Sequence, residues 1–406
     1  MIRFLRVVLA ALAGLTLAGA PALAQDRRPL ILISIDGFRA EYLERGLTPT
    51  LGALAEGGVR ARAMRPSFPV NTYPNHYSLV TGLRPDRHGL TDNTMIDAAR
   101  PELKFSMGAR DQVQDRFWWD GGEPIWVTAE RQGVKAATLF WPGSEAPVHG
   151  VRPSIWQLYD ETLPAFDRVD RLLGWLDLPA GERPGLMALY FETVDTIGHH
   201  EGPDSPELNA AVRTVDLSLA RLVAGLKARG LLDQVNIVIV SDHGMAPISP
   251  DRLIVLDEQY PADAFRWITM GSMAGLIPAD AGAERLLVGR HDHYECWRKG
   301  EMPARLKYGS HPRIPPVMCL ADTGWTLTTR ERQSQRPMTR PGGAHGYDPE
   351  DPMMQAIFIA HGPAFRPGVV LAPFDNVSVY PLLARLLDLT PAPNDGDPAD
   401  TAAALR

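Results

Sequence analysis

Residues 29 to 37 read PLILISIDG, a run of apolar or small residues that ends in a carboxylate, Asp36, and a glycine. A run this short and this apolar is the mark of a strand buried on both faces, the kind found inside a parallel sheet. The core has no use for the aspartate at its end. The same grammar returns at 186 to 195, LMALYFETVD, and at 235 to 243, VNIVIVSDH. Three buried strands that each deliver an aspartate at or just past the C-terminal end would bring those acids to one rim of one sheet, where open α/β folds hold their ligands. The expectation is an α/β enzyme with a carboxylate-rich, metal-binding rim.

The segments between these strands carry helix signals. Thr48-Pro49 reads as a helix start and Gly57-Gly58 as its stop, which completes a βα unit. Ser205-Pro206 caps the clearest helix, whose apolar stripe runs through Leu208, Val212, Val215, Leu219, Leu222 and Leu226 to a stop at Gly230. Thr72 sits just before Pro74 and another helix start. From about residue 247 to 340 this grammar weakens, while Pro, Gly, Trp and both cysteines accumulate, so an inserted subdomain is predicted there. Strand grammar resumes at 355 to 362, QAIFIAHG, and residues 396 to 406 are predicted to form a loosely held tail.

The chain has 406 residues, 45% apolar and 22% charged, enough for a large core and without a low-complexity tract. Residues 1 to 24 read as a signal peptide: Arg3 and Arg6 precede the apolar Val7 to Ala18, and Ala22-Leu23-Ala24 fits the cleavage pattern. The protein is therefore expected to be periplasmic or secreted, cut near Ala24, with no membrane span afterwards, since that apolar run is short for one. The formal net charge is −7, and loss of Arg3 and Arg6 without any acid makes it −9, which argues against a nucleic-acid-binding surface. Cys296 and Cys319 lie in the exported part, where a disulfide is the expected state.

On the predicted rim, Asp195 is followed four residues later by His199, Asp242 directly by His243, and His345 stands in the loop GGAH. With Asp36 these make three aspartates and three histidines without a thiolate, a donor set that suits two Zn²⁺ ions at three protein ligands each. Mn²⁺ or Fe would accept similar donors. Two such ions about 4 Å apart clamp the attacking and leaving oxygens of a phosphoryl transfer. Taken singly, each aspartate reads as a turn cap and Thr72 as a helix cap. Their joint occurrence at three strand ends favours chemistry. A threonine hydroxyl needs a metal or a base to become a nucleophile, and a helix N-terminus beside it favours the resulting charge.

The stretches ILISIDGFR, NTYPNHYSLVTGLRPDRHG, TDNTMID, LFWPGSE, VDTIGHHEGP, SDHGM and GGAHGYDP follow one another between residues 29 and 395. Together they resemble a bacterial member of the nucleotide pyrophosphatase/phosphodiesterase family of the alkaline phosphatase superfamily. The resemblance implies an alkaline-phosphatase-like three-layer α/β/α sandwich around a largely parallel sheet, with a smaller inserted subdomain. Residues 25 to 395 would form that catalytic domain, without the somatomedin-like and nuclease-like domains of larger relatives. It further implies that one zinc is held by Asp195, His199 and His345 and the other by Asp36, Asp242 and His243. Thr72 would be the nucleophile and a further ligand of the second ion, passing through a covalent phosphothreonine ester with net retention at phosphorus.

Asn93 would hydrogen-bond a non-bridging phosphate oxygen together with the backbone N–H of Tyr73, a contact of the oxyanion type. A neutral Asn93 where monoesterases carry a cation suits a diester monoanion, and Arg84 and Arg87 read as structural or surface residues. By the same resemblance a nucleobase would stack on Tyr73 and on Trp156 or, failing that, Tyr159, with Tyr190 lining the pocket. A phosphomonoesterase or phosphonate hydrolase of the same superfamily is one alternative, and a choline or lysophospholipid phosphodiesterase is another. A noncatalytic binding protein on this scaffold is disfavoured, because Thr72 and all six ligands are present.

Overall fold

In the computed structural model, which describes residues 28–261 and 263–406, the strand Leu30–Ile35 is fully buried inside a seven-stranded sheet. The signal peptide predicted for residues 1 to 24 lies outside the described residues. Across the sheet the strands run in the order Val369–Leu371, Val59–Ala61, Phe358–His361, Asn236–Val240, Leu30–Ile35, Leu186–Phe191 and Ala136–Leu139. Leu30–Ile35 pairs in parallel with both Leu186–Phe191 and Asn236–Val240. Phe358–His361 is antiparallel to both its neighbours, so the sheet is mixed although mostly parallel. The three aspartate-bearing strands are thus adjacent and point the same way.

Alternation along Leu30–Ile35 divides the molecule into layers, as the period of two in a strand requires. Ile31, Ile33 and Ile35 join one core with Leu51 and Leu54 of the helix Pro49–Glu56 and the apolar stripe of Pro206–Ala228. Leu30 and Leu32 join the other core, with Tyr77, Leu79 and Val80 of Thr72–Thr81 and residues of Ile125–Arg131 and Val379–Leu386. Helices therefore cover both faces, as an α/β/α sandwich demands. At about 1.5–3 kcal/mol for each large apolar side chain fully buried, this strand alone anchors both cores.

Local capping follows the sequence at one helix and departs from it at another. Ser205 Oγ accepts from the Leu208 backbone N–H at 3.0 Å, as predicted. Thr48 makes no side-chain cap bond; instead the carboxylate of Asp216 accepts from the N–H groups of Thr50 and Leu51 at 3.1 and 2.9 Å. A neighbouring helix thereby supplies the anion that a helix N-terminus prefers.

Beyond the main sheet, strands between Phe265 and Ala321 form a second, antiparallel sheet of five. Cys296 and Cys319 face each other on its adjacent strands Tyr294–Arg298 and Val317–Ala321, and are joined by a disulfide as expected. Two strands after the aspartate-bearing ones bring the last loop home: Gly342–Ala344 pairs antiparallel with Ala246–Ile248. The C-terminal residues are not loose, contrary to their composition. Ala404 and Leu405 are buried in the core, Ser378 Oγ donates to Asp400 at 2.6 Å, and the Arg406 N–H donates to the Ala364 carbonyl. Polar residues that suggest a tail act here as caps and anchors. Among the described residues no helix is long and apolar enough to cross a membrane.

Candidate active site

Asp36 follows directly on Leu30–Ile35, and Asp242 and His243 follow Asn236–Val240 after one serine. Asp195 and His199, just past the strand Leu186–Phe191, lie one helical turn apart on the short helix Thr193–Glu201, which puts both on one face. His345 follows the strand Gly342–Ala344. The structure gathers these six into two groups, Asp195 with His199 and His345, and Asp36 with Asp242 and His243, with ligand atoms within 4.8 Å of one another in each. The imidazoles of His243 and His345 stack at 3.6 Å between centroids, so the two groups are side by side.

Glycines permit this crowding. Gly37 has φ +67°, and a Cβ there would come within 2.9 Å of the Asp195 backbone. At Gly343 a Cβ would lie 2.4 Å from the Gly198 carbonyl, so the loop bearing His345 could not settle on the helix bearing His199.

The donor chemistry fits metal ions. His199, His243 and His345 each direct Nδ1 at a backbone carbonyl, of Gly343, Gly244 and Val70 respectively, at 2.7–2.9 Å. A carbonyl only accepts, so Nδ1 carries the hydrogen and each Nε2 presents a lone pair, the orientation seen in metal-bound histidines. Those lone pairs face carboxylate oxygens: His243 Nε2 lies 3.0 Å from Asp242 Oδ2 and 3.5 Å from Asp36 Oδ1, and His199 Nε2 lies 3.4 Å from Asp195 Oδ1. The same three oxygens are buried without any hydrogen-bond partner. Lone pairs facing lone pairs in a buried site call for cations between them.

Electrostatics agree. Burial, then the carboxylates of Asp242 and Asp195, push the Asp36 carboxyl well above its ordinary range. Burial, with His243 and His199 adding to it, holds His345 well below the ordinary imidazole range and so keeps it neutral.

Thr72 opens the helix Thr72–Thr81 and is nearly buried, its Oγ1 3.4 Å from His243 Nε2. With Asp36 and Asp195 it lines a cavity of about 220 Å³, walled by Tyr73, Met107, Phe140, Trp141, Tyr159 and Tyr190. Tyr73 and Tyr159 stand where an aromatic wall is predicted. Trp156 does not line the cavity: its indole instead lies under the Arg152 guanidinium, 4.7 Å from the ring centroid. Tyr190 reaches the wall, but its hydroxyl donates to Asp36 Oδ2 at 2.6 Å, which fixes that carboxylate. Asn93 is adjacent as expected, with a difference in hydrogen bonding. Its Oδ1 accepts from the Tyr73 N–H at 2.9 Å, so these two groups pair with each other.

Arg84 donates to Asp375 and Arg87 to Asp395, away from the nucleophile. A cation that sequence reasoning missed, Arg110, does line the cavity, donating to the Tyr159 carbonyl and standing 3.7 Å from Glu145 Oε1. Glu145 and Trp141 fall inside the stretch LFWPGSE, where a signal existed; nothing near Arg110 marks it. A second, more open cavity of about 370 Å³, bordered by Leu43, Glu56, Arg60 and Val370, holds none of these groups.

Behind the cavity, Asp92 is buried, and its Oδ1 accepts from the Asn71 side chain at 2.8 Å and the Asn93 N–H at 2.6 Å. Its Oδ2 has no partner. Burial pushes this carboxyl up to about 6 against the pull of those donors. An acid whose folded-state pKa is raised costs stability above that value, and the cost fades as pH falls from about 6 towards the ordinary 3.8. Asp92→Asn is therefore expected to raise stability at pH 7.5 by about 2–3 kcal/mol and to leave it little changed near pH 4. Denaturant titrations at the two pH values check this, and an equal effect at both would contradict it.

The comparisons with known proteins bear on this geometry. The family model described as type I phosphodiesterase/nucleotide pyrophosphatase matches residues 30–348. The chain belongs to this family. A pyrophosphatase/phosphodiesterase of fission yeast is 41% identical over 381 residues, 90% of this chain and 78% of the yeast protein. A venom phosphodiesterase of Crotalus durissus collilineatus is 40% identical over 91% of this chain, which spans only 46% of that longer protein. Human ectonucleotide pyrophosphatase/phosphodiesterase 5 superposes with a TM-score of 0.87 at 33% identity, over 93% of this chain and 100% of the other. The murine form, solved as an inactive threonine-to-alanine variant in complex with AMP, gives the same TM-score at 32% identity. This nucleotide pyrophosphatase/phosphodiesterase is thus an enzyme of a hydrolase family whose fold it shares almost throughout.

Proposed function

We propose that the chain is a two-zinc phosphodiesterase that cleaves the phosphodiester or pyrophosphate bonds of nucleotides and related diesters through a phosphothreonine ester. The observation that carries this reading is that Thr72, Asp36 and Asp195 open on one aromatic-walled cavity. Asp195, His199 and His345 would hold one ion and Asp36, Asp242 and His243 the other. Bound there, the ions would supply Lewis-acid stabilisation of charge at the attacking and leaving oxygens.

The chain's own residues do the rest. Thr72 Oγ1 forms a bond to phosphorus as the bond to the leaving oxygen breaks opposite; water then displaces Thr72, and two inversions give retention. Because Asn93 Oδ1 is held by the Tyr73 N–H, its Nδ2 is the end left to donate to a non-bridging oxygen. Tyr73 and Tyr159 offer faces on which a nucleobase can stack. The AMP held by the murine relative supports nucleotides as the substrate class. The Cys296–Cys319 disulfide supports an exported protein.

A monoester dianion would want a free cation beside Thr72. Arg110 is the cavity's guanidinium, and it is committed to Tyr159 and Glu145. With zinc-loaded protein, kcat/KM for an aryl phosphodiester is expected to exceed that for the matching monoester by at least about tenfold, the worth of one charged contact. A ratio below one would overturn the diesterase reading and turn attention to Arg110.

A further inference from the structure

We propose that His76 is a positioning residue that locks the nucleophile helix to the group formed by Asp36, Asp242 and His243. This rests on the reading of Thr72 as nucleophile.

His76 lies one turn beyond Thr72 in Thr72–Thr81, is fully buried, and does not line the cavity. Its Nδ1 is 2.9 Å from the Thr72 carbonyl oxygen and 3.3 Å from Asp242 Oδ2. An amide carbonyl cannot donate, so Nδ1 carries a hydrogen that bonds the nucleophile's own backbone, while the same edge of the ring stands against a metal-type carboxylate. On the far side Nε2 lies 2.8 Å from Ser34 Oγ, on the strand that delivers Asp36 two residues later. One ring therefore spans three parts of the site that are distant in sequence.

Its orientation is held as well. Trp141 and Tyr190 meet the imidazole edge to face, at 5.4 and 5.1 Å between centroids, and Trp141 Nε1 donates to the His76 carbonyl at 3.3 Å. Tyr190 is the residue that fixes Asp36, so the ring and its neighbours orient both carboxylates of the group. A core filler would need none of these polar contacts. Groups that orient metal ligands from behind typically change affinity or activity 10- to 100-fold when removed.

The test compares His76→Leu, which keeps bulk and removes both nitrogens, with His76→Asn, whose amide can place a donor near Nδ1, and with Ser34→Ala. The readouts are kcat and KM on an aryl phosphodiester, zinc retained after dialysis, and melting of the metal-free proteins. In His76→Leu, kcat should fall about 10- to 100-fold and retained zinc should drop, while KM changes little. His76→Asn should recover most of both, and Ser34→Ala should show a smaller loss in the same direction. Should His76→Leu keep normal kcat and zinc, or His76→Asn do no better than His76→Leu with both losses following the metal-free melting point, His76 is a packing residue and the proposal fails. Thr72→Ala run alongside separates the two readings. An active Thr72→Ala sinks the nucleophile assignment, whereas an inactive one beside a normal His76→Leu sinks only the role of His76.

Discussion

Thr72→Ala is expected to lower kcat on any phosphodiester by at least about a thousandfold while leaving zinc content and fold unchanged. The size of the effect follows from the cavity's chemistry. The hydroxyls of Tyr73 and Tyr159 are pushed above their ordinary pKa by burial, and that of Tyr190 is engaged with Asp36, so none is a ready nucleophile. Thr196, another aliphatic hydroxyl on the wall, lies inside the helix Thr193–Glu201 rather than at its start. Thr72 has both the helix N-terminus, whose unpaired N–H groups favour negative charge, and His243 within 3.4 Å. The substitution deletes only an oxygen and a methyl group at a helix start, so folding should survive it. Acid quench of the wild type during turnover should yield phosphothreonine at residue 72, and its absence together with an active Thr72→Ala would dismiss the covalent route.

The other large effect is expected from metal removal. Exhaustive chelation should abolish diesterase activity and lower the melting temperature, and zinc should restore both, whereas Mg²⁺ or Ca²⁺ should not. The reason lies in three buried carboxylate oxygens, on Asp36, Asp195 and Asp242, that have no hydrogen-bond partner and face imidazole lone pairs. Half of the donors are nitrogen, which hard oxygen-seeking ions bind poorly. An ion present at a thousand times its Kd stabilises the fold by about 4 kcal/mol, because it binds the native state alone. Calorimetry of apo and reloaded protein measures the shift. Full activity in protein shown by elemental analysis to be metal-free would refute the two-ion reading outright.

The contrast between well and poorly anticipated residues has a physical basis. Asp36, Asp242 and His243 were legible because each follows closely on a strand that is almost wholly apolar, and a charged group there has no structural purpose. The helix capped by Ser205 was legible because capping is a local bond over three residues. The helix start at Thr48-Pro49 was legible too, but not the anion that caps it, because Asp216 comes from far along the chain. Trp156 and Tyr159 lie three residues apart on a segment without regular structure, so no periodicity says which ring faces the cavity. Arg110 escaped notice because it opens a helix of only five residues, Arg110–Gln114, too short to show a face by its pattern.

The sequence by itself determined the buried parallel strands, the six oxygen and nitrogen donors and the threonine at a helix start, since each is written in neighbouring residues. Tertiary structure alone decided what stands around them: His243 stacked on His345, Tyr190 turned to Asp36, Asn93 paired with Tyr73, Tyr159 rather than Trp156 on the wall, and His76 between Thr72 and Asp242. Those contacts join loops and helices distant in the chain, and their geometry is set by how whole layers pack, which no local pattern encodes.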